Sequence, residues 1–138
     1  MQYIIATHHD MASGILDAVR ILKGNYQNIH VLNAYVENDN FSREYEKCLD
    51  KIDKNEKIIV LTDLAGGSVN QIVMKTKTRA DVEIIAGVNI DVVLSVLSID
   101  EKGDIPAQIR DAIGRSREQM IYINKLVKSI KKGDINGI

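Results

Sequence analysis

Tyr3-Ile4-Ile5-Ala6-Thr7-His8-His9-Asp10 is the stretch that decides the fold. A short run of β-forming apolar residues ends in a hydroxyl, two imidazoles and a carboxylate, and from Ala12 onward the apolar residues change to helical spacing. This is the pattern of a first strand with chemistry at its carboxyl end, where ligands and reacting groups gather in an open α/β sheet. His8 and His9 are therefore the residues to account for.

Beyond that stretch, Ile15, Ala18, Val19 and Leu22 recur at i, i+3, i+4 and i+7, the inward face of an amphipathic helix stopped by Lys23-Gly24-Asn25. Residues 28–36 are rich in β-formers, and Glu37-Asn38-Asp39-Asn40 is a turn cluster able to cap the next helix, whose face is Tyr45, Cys48, Leu49 and Ile52. Cys48 thus falls on a buried stripe and reads as a core thiol. Lys57-Ile58-Ile59-Val60-Leu61-Thr62-Asp63 is a continuous apolar run, as a central parallel strand covered on both faces requires.

The turn Leu64-Ala65-Gly66-Gly67-Ser68 follows, and Ser68 with Gln71 has capping-box spacing before a helical face of Val69, Ile72, Val73 and Thr76. Residues 82–87 form a fourth strand. Asn89 caps a helix bearing Ile90, Val93, Leu94 and Leu97, and Pro106 opens another with Ile109, Ala112 and Ile113 inward. Met120-Ile121-Tyr122-Ile123 reads equally as a last short strand or a continued helix, the Lys125 to Lys132 charges as a solvated face, and Lys131 to Ile138 as a frayed tail.

Strand and helix patterns alternate four times with short connections. The pattern predicts an α/β, doubly wound three-layer sandwich with a mainly parallel sheet and right-handed crossovers. With strand order 2-1-3-4, the switch point lies between strands one and three, so the loops after Ala6 and after Leu61 line one crevice and His8 faces Asp63.

The 138 residues fit a single domain spanning 1–138, with no repeat or linker. The 18 basic and 19 acidic residues nearly cancel, so no global field favours nucleic acid or an anionic membrane. One cysteine excludes an internal disulfide and any multi-cysteine metal site. No apolar run approaches the ~18 residues of a membrane span and no basic leader opens the chain, so a cytoplasmic protein is expected.

An imidazole beside a carboxylate has its tautomer fixed, leaving the other ring nitrogen free as base or nucleophile. The Gly66-Gly67-Ser68 turn at a helix start offers N–H groups, a hydroxyl and a positive dipole end, which suit a phosphoryl group. Together they point to phosphoryl transfer. Adjacent His8 and His9 lack the third ligand that a metal site needs, so no metal is expected. His30, inside a strand, reads as a packed or edge residue.

Ile5-Ala6-Thr7-His8, then Leu61 to Ser68, then Ala86-Gly87-Val88-Asn89-Ile90 resemble the three signature stretches of the enzyme IIA domain of the mannose family of the bacterial phosphoenolpyruvate:sugar phosphotransferase system, in order and at the right spacing over nearly the whole chain. The resemblance implies a phosphocarrier without metal, nucleotide or other cofactor. In it His8 is the phosphorylated histidine, Asp63 its partner carboxylate, and Thr7, Gly66, Gly67 and Ser68 the phosphoryl-binding set. It also implies HPr as donor, an enzyme IIB component as acceptor, a membrane sugar permease served indirectly, and a homodimer exchanging a C-terminal strand near Met120 to Ile123. The same domain type also relays phosphate to dihydroxyacetone kinases and regulators. Three residues depart from the family pattern: His9 where glycine is usual, and Val69 and Asp91 where proline is common. His9 reads first as a polar residue tolerated at the crevice rim, with a second acceptor or a helper as the alternatives.

Two other classes use this fold. A nucleotide- or small-molecule-binding regulatory module would carry GxxxxGK[ST] or G-x-G-x-x-G, which the chain lacks. A receiver domain phosphorylated on Asp63 would carry an acidic cluster for Mg²⁺ after strand one, where this chain has Thr7-His8-His9 and only Asp10.

Overall fold

The computed structural model describes residues 1–75 and 81–131. Thr76 of the third helical face and the tail beyond Lys131 lie outside the described residues. The elements run β1 (Gln2–His8), α1 (Met11–Lys23), β2 (Ile29–Ala34), α2 (Phe41–Asp50), β3 (Ile58–Thr62), α3 (Ser68–Lys75), β4 (Val82–Ala86), α4 (Ile90–Val96), α5 (Ile105–Arg117) and α6 (Ile123–Lys131). The four strands form one sheet in the order β2-β1-β3-β4. Every pairing is parallel. The expected order 2-1-3-4 and its switch point between β1 and β3 are therefore present.

Strand alternation divides the core into two layers, because successive side chains leave a strand on opposite faces. Tyr3 and Ile5 of β1, Ile59 and Leu61 of β3 and Ile85 of β4 pack with Ala12 and Val19 of α1, Val92, Val93 and Val96 of α4, and Ile105, Ile109 and Ala112 of α5. Ile4 and Ala6, with Ile58, Val60 and Val82, pack on the other face against Phe41, Tyr45, Cys48 and Leu49 of α2 and Val69 and Val73 of α3. β1 and β3 are covered on both sides, which is why β3 needs an unbroken apolar sequence. The buried Tyr3 hydroxyl donates to the Val96 carbonyl at 2.7 Å, tying the central strand to α4. Burial, with a smaller contribution from Tyr26, pushes this phenol up to about 12.

The caps are local. Asn40 accepts from Arg43 N–H, Asn89 from Val92 N–H and Asp104 from Ala107 N–H, each satisfying a helix's orphan donor. Cys48 is buried, and burial pushes its thiol up by more than the nearby Lys51 charge pulls it down. His30 lies on the edge strand β2 with Nε2 2.9 Å from Gln2 Oε1; burial, then Lys51, lowers its affinity for a proton.

Four expectations change. Leu22, read as inward, is exposed, the buried stripe of α1 ending a turn earlier at Val19. The second strand stops at Ala34, since Tyr35 takes a left-handed backbone with φ 66°. Ser68 does not cap α3 but begins it, and the Gln71 side chain donates to the Gly66 carbonyl at 2.6 Å in place of a capping box. Residues 120–122 are neither strand nor helix, and α6 begins at Ile123 with no buried residue.

Candidate active site

His8 is the last residue of β1, and Asp63 follows the last residue of β3, the strand beside it. His8 is in step with Ile4 and Ala6, so its ring emerges on the face that carries α2 and α3. Its Nδ1 lies 2.7 Å from Asp63 Oδ2, and its backbone N–H donates to the same oxygen at 2.8 Å. Asp63 Oδ1 accepts the Leu64 N–H at 2.8 Å. The carboxylate is thus engaged by both residues that flank the crevice, with 10% of its side chain exposed against 36% for His8.

Burial pushes the Asp63 carboxyl up. The opposing hydrogen bonds from the His8 backbone, the His8 ring and Leu64 N–H, with the His8 charge, outweigh it and hold the group below the usual carboxylate range. An ionised Asp63 accepts only, so Nδ1 carries the ring proton and Nε2 is the free nitrogen. Nε2 lies 3.1 Å from Ser68 Oγ. Ser68 Oγ in turn accepts from the Tyr35 hydroxyl at 2.9 Å.

The glycine turn is shaped by two requirements. Gly66 has φ 76°, a left-handed backbone that a side chain would strain. At Gly67 a Cβ would sit 3.1 Å from Leu64 Cβ and 3.2 Å from Leu64 O, so glycine lets the turn close on itself, beside His8 Cε1 at an ordinary contact distance of 3.8 Å. Their N–H groups are both engaged within the turn: Gly66 donates to Asn70 Oδ1 at 3.0 Å and Gly67 to Leu64 O at 3.0 Å. What faces His8 Nε2 is the Ser68 hydroxyl at the positive end of α3. The third sequence stretch reaches the site through the backbone, with Gly87 N–H donating to Asp63 O at 2.9 Å.

The structure brings together His8, Asp63, Gly67 and Ser68, and it sets Thr7 apart. Thr7 is fully buried on the opposite face of β1, where its Oγ1 accepts the Ala12 N–H at 2.8 Å and holds the start of α1. Two residues escaped the sequence reading. Asn70 is buried and bridges Gly66 N–H to Thr62 Oγ1, its Nδ2 donating at 3.0 Å, so it anchors the turn to β3. Its place three residues before Val73, on the inward stripe, was the available signal. Tyr35 has its ring centroid 5.5 Å from that of His8, and no periodicity marks it.

His9 is exposed, with φ 51° and its N–H donating to Ala34 O at 2.9 Å. The bend that follows β1 thus needs a positive φ, which glycine adopts freely and histidine tolerates. His9→Gly is expected to leave stability within about 1 kcal/mol, the relief of strain offsetting the greater freedom of the unfolded chain. Thermal melts of the two proteins check this, and a loss well over about 1 kcal/mol would overturn it.

The fold and the site define a class: an α/β domain with an oriented histidine at a strand end, beside a serine at a helix start. The family model for the phosphotransferase system fructose IIA component matches residues 2–113. This chain therefore belongs to that IIA family, whose membership carries a phosphocarrier role in sugar phosphotransferase systems and phosphotransferase activity in general.

Solved structures agree. A Klebsiella pneumoniae protein assigned to the phosphoenolpyruvate-dependent sugar phosphotransferase system is 27% identical, with TM-score 0.84 over 91% of this chain and 93% of that one. The IIA protein associated with the fucose utilization operon of Streptococcus pneumoniae is 25% identical, with TM-score 0.74 over 91% and 95%. The mannose/sorbose-specific IIA subunit of Enterococcus faecalis, at 18% identity and TM-score 0.73 over 87% and 92%, shares the fold. No functionally curated protein matches the chain. Among the described residues, no helix is long and apolar enough to cross a membrane and no cluster of three or more metal-ligating side chains occurs.

Proposed function

We propose that this cytoplasmic chain accepts a phosphoryl group on His8 Nε2 from the phosphohistidine of HPr and passes it to an enzyme IIB component, serving a membrane sugar permease indirectly. The observation that carries the reading is the orientation of one ring: Nδ1 is bound to Asp63 at 2.7 Å while Nε2 faces Ser68 at 3.1 Å. As the new P–Nε2 bond forms, the P–N bond to the donor's imidazole breaks and the donor ring leaves with that electron pair. His8 keeps its Nδ1 proton, so the phosphorylated ring is cationic and the Asp63 carboxylate stabilises it. That balance keeps the group transferable, because the ring remains a competent leaving group for the next acceptor.

Ser68 supplies a hydroxyl for the phosphoryl oxygens, and the first-turn N–H groups of α3, which have no partner within the helix, supply positive potential. Gly66 and Gly67 act through the shape of the turn. Exposed Val36 and Leu64, in the loops after β2 and β3, and exposed Met11, the first residue of α1, follow the carboxyl ends of three neighbouring strands and form an apolar rim suited to a protein donor and acceptor.

The test is incubation with phosphoenolpyruvate, enzyme I and HPr, followed by mapping of the labelled peptide. Acid-labile, alkali-stable phosphate on His8 is expected. Alkali-labile phosphate on Asp63, or no label, would overturn the reading.

We also infer a homodimer. Met120 is 94% exposed, Ile121, Tyr122 and Ile123 are exposed beside it, and α6 has no fully buried residue, which leaves a contiguous apolar segment for a second copy to cover. Sedimentation is expected to give a dimer for the full chain and a monomer for a chain ending at Gln119. A monomeric full chain would remove the inference.

A further inference from the structure

Tyr35 is the member of the crevice that neither motif nor spacing accounts for. It follows β2 directly, with φ 66°, a backbone state that a bulky side chain rarely adopts. The bend sets its hydroxyl 2.9 Å from Ser68 Oγ, with Tyr35 as donor, and its ring against His8 at a tilt of 46°. Strained residues cluster where function demands a particular direction, and here the direction is toward the phosphoryl site.

The bonds at this site have one consistent polarity. Asp63 accepts the hydrogen bond of Nδ1–H, which leaves His8 Nε2 an acceptor. Ser68 has one proton and two lone pairs; with a lone pair occupied by the Tyr35 hydroxyl, the serine proton is free for the 3.1 Å line to Nε2. The chain then runs in a single direction from Tyr35 to Ser68 to His8 to Asp63, and each bond polarises the next.

We propose that Tyr35 is a positioning residue for phosphoryl transfer, holding Ser68 so that the serine proton is presented where the phosphoryl oxygens arrive. The proposal rests on the reading of His8 as the acceptor. When Nε2 bonds to phosphorus, the Ser68 proton turns from the nitrogen to a phosphoryl oxygen while Tyr35 keeps the serine oxygen in place. No covalent bond to Tyr35 or Ser68 forms or breaks.

Tyr35→Phe keeps the ring and removes only the donor. It is expected to slow transfer from phospho-HPr by about three- to tenfold, the range one neutral hydrogen bond supports. In a Ser68→Ala background the same change is expected to add nothing, whereas a packing role would cost the same in both backgrounds. The ¹⁵N resonance of His8 Nε2, which needs no phosphoryl donor, is expected to move on Tyr35→Phe with Ser68 present and to stay fixed with Ser68→Ala. Equal losses in both backgrounds, or an unmoved rate and resonance, would overturn the proposal. If the wild-type chain takes no phosphate, the His8 reading fails, and the ring resonance alone still decides whether Tyr35 acts through Ser68.

Discussion

His8→Ala is expected to reduce labelling by phospho-HPr to background while the protein still folds. The two consequences separate because of where the residue sits. His8 ends β1, its ring is 36% exposed, and the core contacts of the strand are made by Tyr3, Ile4, Ile5 and Ala6. Its backbone N–H, which alanine retains, still donates to Asp63. The ring's hydrogen bonds to Asp63 and Ser68 and its contact with the Tyr35 ring are lost, so a stability change of about 1 kcal/mol is expected. Circular dichroism and thermal melting check the fold, and labelling checks the chemistry. Full labelling of this variant would move the acceptor elsewhere, with His9 the first residue to map.

Asp63→Asn is expected to slow transfer in both directions by roughly 10²- to 10⁴-fold, the scale seen when a carboxylate-oriented histidine loses its tautomer. The geometry makes the exchange costly. Asp63 accepts from His8 N–H and His8 Nδ1 on Oδ2 and from Leu64 N–H on Oδ1. An asparagine amide has only one acceptor oxygen, so its NH₂ group must confront a donor on one side. If it confronts His8, the ring proton is driven to Nε2, the nitrogen that must attack.

The same carboxylate predicts a pH dependence of stability. Its folded affinity for protons is depressed, so its contribution is fully present above the ordinary carboxylate range, near ~4, and is lost as pH falls through the lower folded value. Asp63→Asn should therefore be less stable than the parent at neutral pH, with the gap closing in acid. A gap that persists at low pH, or an unchanged transfer rate, would mean that the carboxylate does not orient His8.

The parts of the site legible in the sequence are those set by chain order and period. His8 and Asp63 each end an apolar run, and parallel strands align such ends at one edge. Thr7 illustrates the opposite case. It lies one residue from His8, yet strand alternation sends it to the α1 face, where it caps a helix. The glycines likewise carry a turn that sequence foretells, while the engagement of their N–H groups by Asn70 and Leu64 depends on how α3 seats on β3.

By itself the sequence determined the alternation of strand and helix, the parallel sheet with β1 and β3 at its centre, and the meeting of a histidine with a carboxylate. Apolar spacing encodes which faces must leave water, and short connections allow few ways to satisfy it. Only the tertiary structure decided that the chain bends left-handed at His9 and Tyr35, that Tyr35 reaches Ser68, and that residues 120–131 add no buried residue to the core. Those outcomes depend on which loops lie side by side at the sheet edge. A single backbone angle, set by neighbours distant in sequence, leaves no trace in hydrophobic periodicity.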